Sequence, residues 1–303
     1  MTTILAGTDR GLHLLGDRAG VELEGCAIGA LAAGRRALFA VADDTELVGS
    51  DGGGPWGPLA RLDSGEARCL LPTPDGLLVG MSGAHLLRLV DESLQPVEGF
   101  ESVPGRDDWY TPWGGPPATR SLSRGAGGEL YANVHVGGIP RSDDGGVTWS
   151  PTIDVNSDVH EVRSPEGRAG LVLAATARGL ATSSDSGRTW ELAGGGLTGG
   201  YARAVALAGD VVLLTASLGP RGGQAGVYRR LLHASGHFQR CTEGLPEWFE
   251  QNIDTACLDA AGSVAAFGTA TGVVYATDDA GETWGLVAEG LPRIHCLVVL
   301  PGA

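Results

Sequence analysis

Short apolar runs, broken by turns rich in Gly, Asp, Ser and Pro, fill this chain from end to end. Runs such as EARCLL, ATRSLS, DVHEVR, YARAVA, NIDTAC and RIHCLV mix polar and apolar residues as half-buried strands do. Long stretches with the period of an amphipathic helix are not evident. The pattern predicts an all-β chain with a tight turn every ~8–12 residues, and 50 Gly and 16 Pro among 303 residues agree with it.

One eight-residue pattern recurs within this frame. Its full copies are Ser142-x-Asp144-x-Gly146-x-Thr148-Trp149, Ser183-x-Asp185-x-Gly187-x-Thr189-Trp190 and Thr277-x-Asp279-x-Gly281-x-Thr283-Trp284, and a worn copy keeps Asp51, Gly53 and Trp56. Each residue type has a task there: the carboxylate bonds back to turn amides, Gly supplies positive φ, and Thr-Trp starts the next strand with the indole against the turn. The four tryptophans fall at about one or two units of ~45 residues, the length of a four-stranded propeller blade. Strands placed on that frame give units near 26–66, 67–114, 119–157, 159–199, 201–250 and 252–292. Residues 2–24 then read as strands two to four of a seventh unit, with Ile294–Leu300 as its first strand. The prediction is one domain over 1–303, a seven-bladed β-propeller of four-stranded antiparallel blades closed by pairing the N- and C-terminal strands, which removes open sheet edges. The segment 104–117 (PGRDDWYTPWGGPP) is an insertion, and insertions on one face of a repeat fold often bind.

The eight-residue motif is similar to the Asp-box, and through it nearly the whole chain resembles the bacterial Asp-box (BNR) repeat propellers. That superfamily includes sialidases, sortilin-type receptors and photosystem II assembly factors. The resemblance implies a shared architecture and only weakly an activity, because these relatives differ in function.

In a blade lettered A (inner) to D (outer), the Asp-boxes are C-to-D turns. Asp144, Asp185 and Asp279 are therefore expected to be structural. The opposite face gathers the starts of the A strands, and aligning these brings Arg68, Arg120, His160, Arg203, Asp254 and His295 to one slot facing a central channel. Glu161 and Thr255 have the other parity, and Tyr201 starts its own A strand. Three Arg and two His against one Asp invert the sign of a chain whose net charge is −15, which suits a small carboxylate- or phosphate-bearing ligand. Pairing of these arginines with acids between blades is the competing reading. From the same face Trp109, Tyr110 and Trp113 of the insertion, with His135 from the end of a B strand, either wall a pocket over that ring or plug an apolar gap.

The acids are scattered over turns, which argues against nucleic acid as a partner. The N-terminal MTTILAGTDRG shows no basic n-region, and no run of about 18 apolar residues occurs, so neither export nor membrane insertion is expected. Cys26, Cys69, Cys241, Cys257 and Cys296 lack disulfide or zinc spacing, and Cys69, Cys257 and Cys296 read as small core residues in a reducing, cytoplasmic setting. A monomer is expected.

Two function classes stay open. One is an enzyme on a small anion, a glycosidase-like hydrolase or a lyase with His160 or His295 as acid/base, Glu161, Tyr201 and Asp254 as further candidates, and Arg68, Arg120 and Arg203 as ligand contacts. Sialidases, as the resemblance implies, use three arginines and a Tyr activated by a Glu, but their Arg-Ile-Pro motif has no counterpart beyond Gly138-Ile139-Pro140. A metal-dependent variant through His135, His160 and His295 with Glu161 or Asp254 has only a weak signal, so no metal or other cofactor is expected. The other class is a non-catalytic scaffold that binds a protein segment.

Overall fold

The computed structural model describes residues 2–16, 19–234 and 236–302. Positions 17 and 18, in the expected 2–24 unit, and 235, in the expected 201–250 unit, lie outside the described residues, as do 1 and 303. Regular structure among the described residues is strand, apart from a short helix, Glu98–Glu101, and two 3-10 turns, Arg106–Asp108 and Val155–Ser157. The strands form seven four-stranded sheets, and the fold is an all-β, seven-bladed propeller of antiparallel sheets. No helix among the described residues is long and apolar enough to cross a membrane.

By compactness the chain divides into two units. The first, residues 1–28, 175–180 and 192–303, holds the sheet of the terminal strands and the sheets of 201–240 and 258–288. Thr3–Thr8 pairs antiparallel with Ile294–Leu300, Leu5 opposite Val298, so both chain ends sit in one sheet. The core packs Ile4, Leu213, Val227, Leu258 and Leu297 with an aromatic group in which Phe267 lies 5.3 Å from Tyr275 and 5.0 Å from Trp284. Gly7 is forced by close packing: a Cβ there would stand 2.5 Å from Cys296 Sγ and 2.8 Å from Ile28 Cγ2. The Cys296 thiol donates to the Ile28 carbonyl, and burial pushes it up to about 12, so it packs as an inert hydrophobe.

The second unit, residues 29–174 and 181–191, holds the sheet of residues 28–61 apart from Ile28 and the sheets beginning at Ala67 and Thr119. Its second strands are the most deeply placed; every residue of Leu130–Val134 is buried, as a strand covered on both faces must be. Cys69 repeats the arrangement of Cys296, its thiol donating to the Thr119 carbonyl with its pKa raised by burial to about 12.

The recurrent eight-residue segments lie between third and fourth strands, and all three close by the same carboxylate and hydroxyl bonds. In the first, Asp144 Oδ1 accepts from Ser142 Oγ at 2.8 Å and from the Thr148 amide at 2.9 Å, while Oδ2 accepts from Thr148 Oγ1 at 2.6 Å. Ser142 Oγ in turn accepts from the Gly146 amide, and the Trp149 indole donates to the Gly146 carbonyl at 3.0 Å. Asp185 and Asp279 repeat the carboxylate bonds with Thr189 and Thr283, and Ser183 and Thr277 repeat the hydroxyl bond to the Gly187 and Gly281 amides, while the Trp190 and Trp284 indole nitrogens make no hydrogen bond. The worn copy keeps the turn with Gly52 and Gly53 at positive φ and Ser50 Oγ donating to the Gly54 carbonyl.

These bonds hold the three carboxyls down. The Thr148 hydroxyl and amide lower Asp144 to about 2, the Thr189 hydroxyl and amide lower Asp185, and the Thr277 hydroxyl with the Thr283 amide lowers Asp279 to about 2. A carboxyl whose pKa is lower folded than unfolded stabilises the fold above the unfolded value near 4, and that contribution is lost as pH falls toward the folded value. The melting temperature, followed by calorimetry, is therefore expected to drop as pH falls from about 4 to about 2. The D144N/D185N/D279N variant is expected to melt lower at neutral pH and to show a shallower drop over that interval.

Candidate functional site

Four of the six residues aligned in the A-strand slot share a feature that alternation conceals. The register of the first strand shifts between Ala67 and Cys69, between Thr119 and Ser121, between Ala202 and Ala204, and opposite Gly7 and Thr8. Arg68, Arg120, Arg203 and His295 are the residues left over at these irregularities. A bulge bends the strand and re-aims its extra side chain, so strict alternation does not assign the facing of these four. Asp254 lies outside a strand altogether: the strand of its sheet begins at Leu258, and Asp254 sits in the entering loop, where its carbonyl accepts from the Cys257 amide.

Most of these cations have acids of their own. Arg203 binds Asp254 through Nε at 2.8 Å and through its terminal nitrogen, and Arg293 approaches the same carboxylate at 3.9 Å. Arg68 pairs with Glu66, and His295 Nε2 lies 2.6 Å from Asp9 Oδ1. Glu66 and Asp9 stood outside the aligned slot, which is how the alignment arrived at an excess of positive charge. Arg120 is half-buried. Tyr201 is buried with the Arg203 guanidinium 5.8 Å from its ring. Glu161, 1% exposed, is held by Arg163 at 3.0 Å.

A buried polar grouping gathers around His135 and His160 instead. His135 follows the buried strand Leu130–Val134, and His160 is the second residue of Val159–Arg163. They are 4% and 0% exposed, their rings 6.2 Å apart. Asp158, two residues before His160, puts Oδ1 3.3 Å from His135 Nε2 and 3.4 Å from His160 Nε2. Burial opposes ionisation of Asp158, but the two imidazoles outweigh it and hold the carboxyl well below the usual carboxylate range. The sequence reading did not single out Asp158, which precedes the strand with a left-handed backbone, where strand alternation gives no facing.

The backbone at the cluster is strained. Val136, next to His135, has φ 44°, and Asp158 has φ 46°. A β-branched residue in the left-handed region is a rare outlier that only dense surroundings maintain. Gly138, at φ 73°, completes the reversal by which the Val134 amide meets its carbonyl, and the Tyr110 amide donates to the Val136 carbonyl.

The insertion sits directly against this reversal, and its aromatics divide between two roles. Trp109 packs into the apolar cluster with Phe100, 5.7 Å away, and the Arg106 guanidinium lies 4.8 Å from its ring. Trp113 is 68% exposed and lies 4.9 Å from the His135 ring at an interplanar angle of 35°. Tyr110 is exposed and donates its hydroxyl to Asn156 Oδ1 at 3.3 Å, linking the insertion to the turn that enters Asp158. Two shallow clefts of about 330 Å³, one beside Arg141 and Arg188 and one beside Arg88 and Gly145, lie at outer-strand turns away from this cluster.

No family model matches the chain, and no curated protein does. Its backbone is similar to that of many solved structures. An ancestral GH74 enzyme superposes with a TM-score of 0.63 at 15% identity, over 99% of this chain and 40% of that one. The GH74 xyloglucanase from Xanthomonas campestris gives 0.62 at 14% identity, over 94% and 47%. The RRP9 WD40 repeats give 0.64 at 16% identity, over 97% and 88%. The likeness shows the fold. This propeller spans less than half the length of either GH74 chain, and one architecture serves unrelated functions.

The two tryptophans of the insertion are expected to respond differently to truncation. Trp109→Ala should cost about 3 kcal/mol of stability in denaturant melts, as removal of a packed indole does. Trp113→Ala should change stability by no more than ~0.5 kcal/mol.

Proposed function

We propose that this propeller binds a small organic anion at His135, Asp158 and His160, with the body of the ligand lying on Trp113 and Tyr110. The observation that carries this reading is the exposed Trp113 ring set over the buried His135, on the one insertion that interrupts the repeat. An indole held open to solvent beside a buried polar cluster gives a flat apolar surface and a charged anchor in one place, the composition of small-molecule sites. The imidazole edges offer N–H donors to a carboxylate or phosphate, and a sugar ring or other flat body fits against the indole.

The recurrent turns support kinship with Asp-box propellers, and the GH74 structures among the neighbours favour a carbohydrate-derived ligand. If the bound molecule is turned over, the groups in place are an imidazole general base oriented by Asp158, since Glu161 is committed to Arg163 and gives no second free carboxylate for a retaining glycosidase pair. Arg68, Arg120, Arg203 and His295 belong to the anion site only if ligand binding draws them from their present settings. A non-catalytic scaffold for a protein segment is the alternative, and the WD40 likeness favours it.

Titration with glucuronate, galacturonate and glucose 6-phosphate, read by tryptophan fluorescence, is expected to give saturable quenching with at least one of them. Trp113→Ala should weaken that binding about 3- to 10-fold, the worth of one stacking contact. No response to any of the three, with an interaction surface for a protein segment elsewhere, would overturn the proposal in favour of the scaffold.

A further inference from the structure

The two carboxylate–imidazole separations in the cluster fit an ion better than they fit hydrogen bonds. His135 Nε2, Asp158 Oδ1 and His160 Nε2 lie within 4.8 Å of one another, the carboxylate oxygen standing 3.3 Å and 3.4 Å from the two nitrogens. Ligands about 2.0–2.1 Å from a tetrahedral ion are held about 3.3–3.4 Å apart. Nitrogen-donor hydrogen bonds run shorter, at about 2.7–3.2 Å.

Alignment points the same way. His135 Nε2 is buried and makes no hydrogen bond, although a carboxylate oxygen stands 3.3 Å from it, and Asp158 Oδ1 is likewise buried without one. A buried polar atom left this way costs about 1–3 kcal/mol, a cost that an ion bound to both atoms would offset. The strained backbone at Val136 and Asp158 holds these two groups in that relation. Arg163, the arginine nearest in sequence, is turned to Glu161 and adds no opposing charge to the cluster.

We infer that His135 Nε2, Asp158 Oδ1 and His160 Nε2 form a three-ligand site for a divalent transition-metal ion, with zinc the best match to two imidazoles and a carboxylate. Such a donor set suits first-row ions and leaves a position open. Water takes that position or, resting on the function proposed above, the carboxylate or phosphate of the ligand, with Trp113 alongside. The ion adds positive charge to the imidazole donors and offsets that of the Asp158 carboxylate. This differs from the expectation, drawn from scattered histidines without a local motif, that the chain holds no metal.

The test uses the full chain, stripped with a chelator and dialysed, then titrated with Zn²⁺ by calorimetry and with Co²⁺ by visible absorption. One ion per chain is expected, with the ligand-field bands of tetrahedral cobalt. Asp158→Asn and His135→Gln, each first shown to be folded by its melting curve, should weaken binding by at least about 10–100-fold. If H135Q does not fold, D158N, at the more exposed ligand, decides. Absence of saturable binding up to about 1 mM zinc, or unchanged affinity in the variants, would overturn the inference. Sugar-acid binding by the stripped protein without zinc binding removes the ion and keeps the pocket; zinc binding with no response to the three anions keeps the ion and removes the pocket.

Discussion

Burial of the second strands on both faces is the constraint from which the rest of this structure follows. The strand Leu130–Val134 has no solvent-facing side, so a polar group near it has only the protein interior to pair with, and the side-chain amide of Asn133 within it makes no hydrogen bond. The thiols of Cys69 and Cys296 meet it by donating to neighbouring carbonyls, and glycines such as Gly7 meet it by leaving room for the sulfur. His135 and His160 share one carboxylate instead. They stand at the edge of that buried layer around Asp158, and the price is a strained turn on either side.

The outer turns solve a different problem. Their carboxylates are exposed, so what they contribute is local: one Asp gathers a hydroxyl, an amide and a second hydroxyl and closes the link between third and fourth strands. This separates the parts of the chain by task. The most repetitive residues secure the blades, and the least repetitive segment, 104–117, brings an exposed indole to a buried histidine. Where a fold repeats, departures from the repeat are the informative positions.

Much of the fold was legible because its signals are local. The Ser/Thr-x-Asp-x-Gly-x-Thr-Trp turns and the spacing of Trp149, Trp190 and Trp284 fix blade size, and Ile294–Leu300 announces itself as a strand in need of a partner. The site was only partly legible. His135, His160, Trp109, Tyr110 and Trp113 were named from strand ends and from the insertion, but which tryptophan is packed and which is open depends on Phe100 and His135, residues distant in sequence. Bulges at Arg68, Arg120, Arg203 and His295 escaped notice because they leave no mark in the alternation that was used to assign facing. Asp158 was passed over because an Asp before a strand looks like any turn residue until its left-handed backbone aims it at two imidazoles.

The account holds that recognition occurs where Trp113 meets the His135–Asp158–His160 cluster. Nitrogen-15 spectra of the full chain, recorded while glucuronate, galacturonate or glucose 6-phosphate is added, test this most directly. The account predicts shifts confined to the Trp113 indole and to the rings of His135 and His160, with the indoles of Trp149, Trp190 and Trp284 unmoved. Shifts at His295 or at the arginines of the first strands, with Trp113 silent, would contradict it.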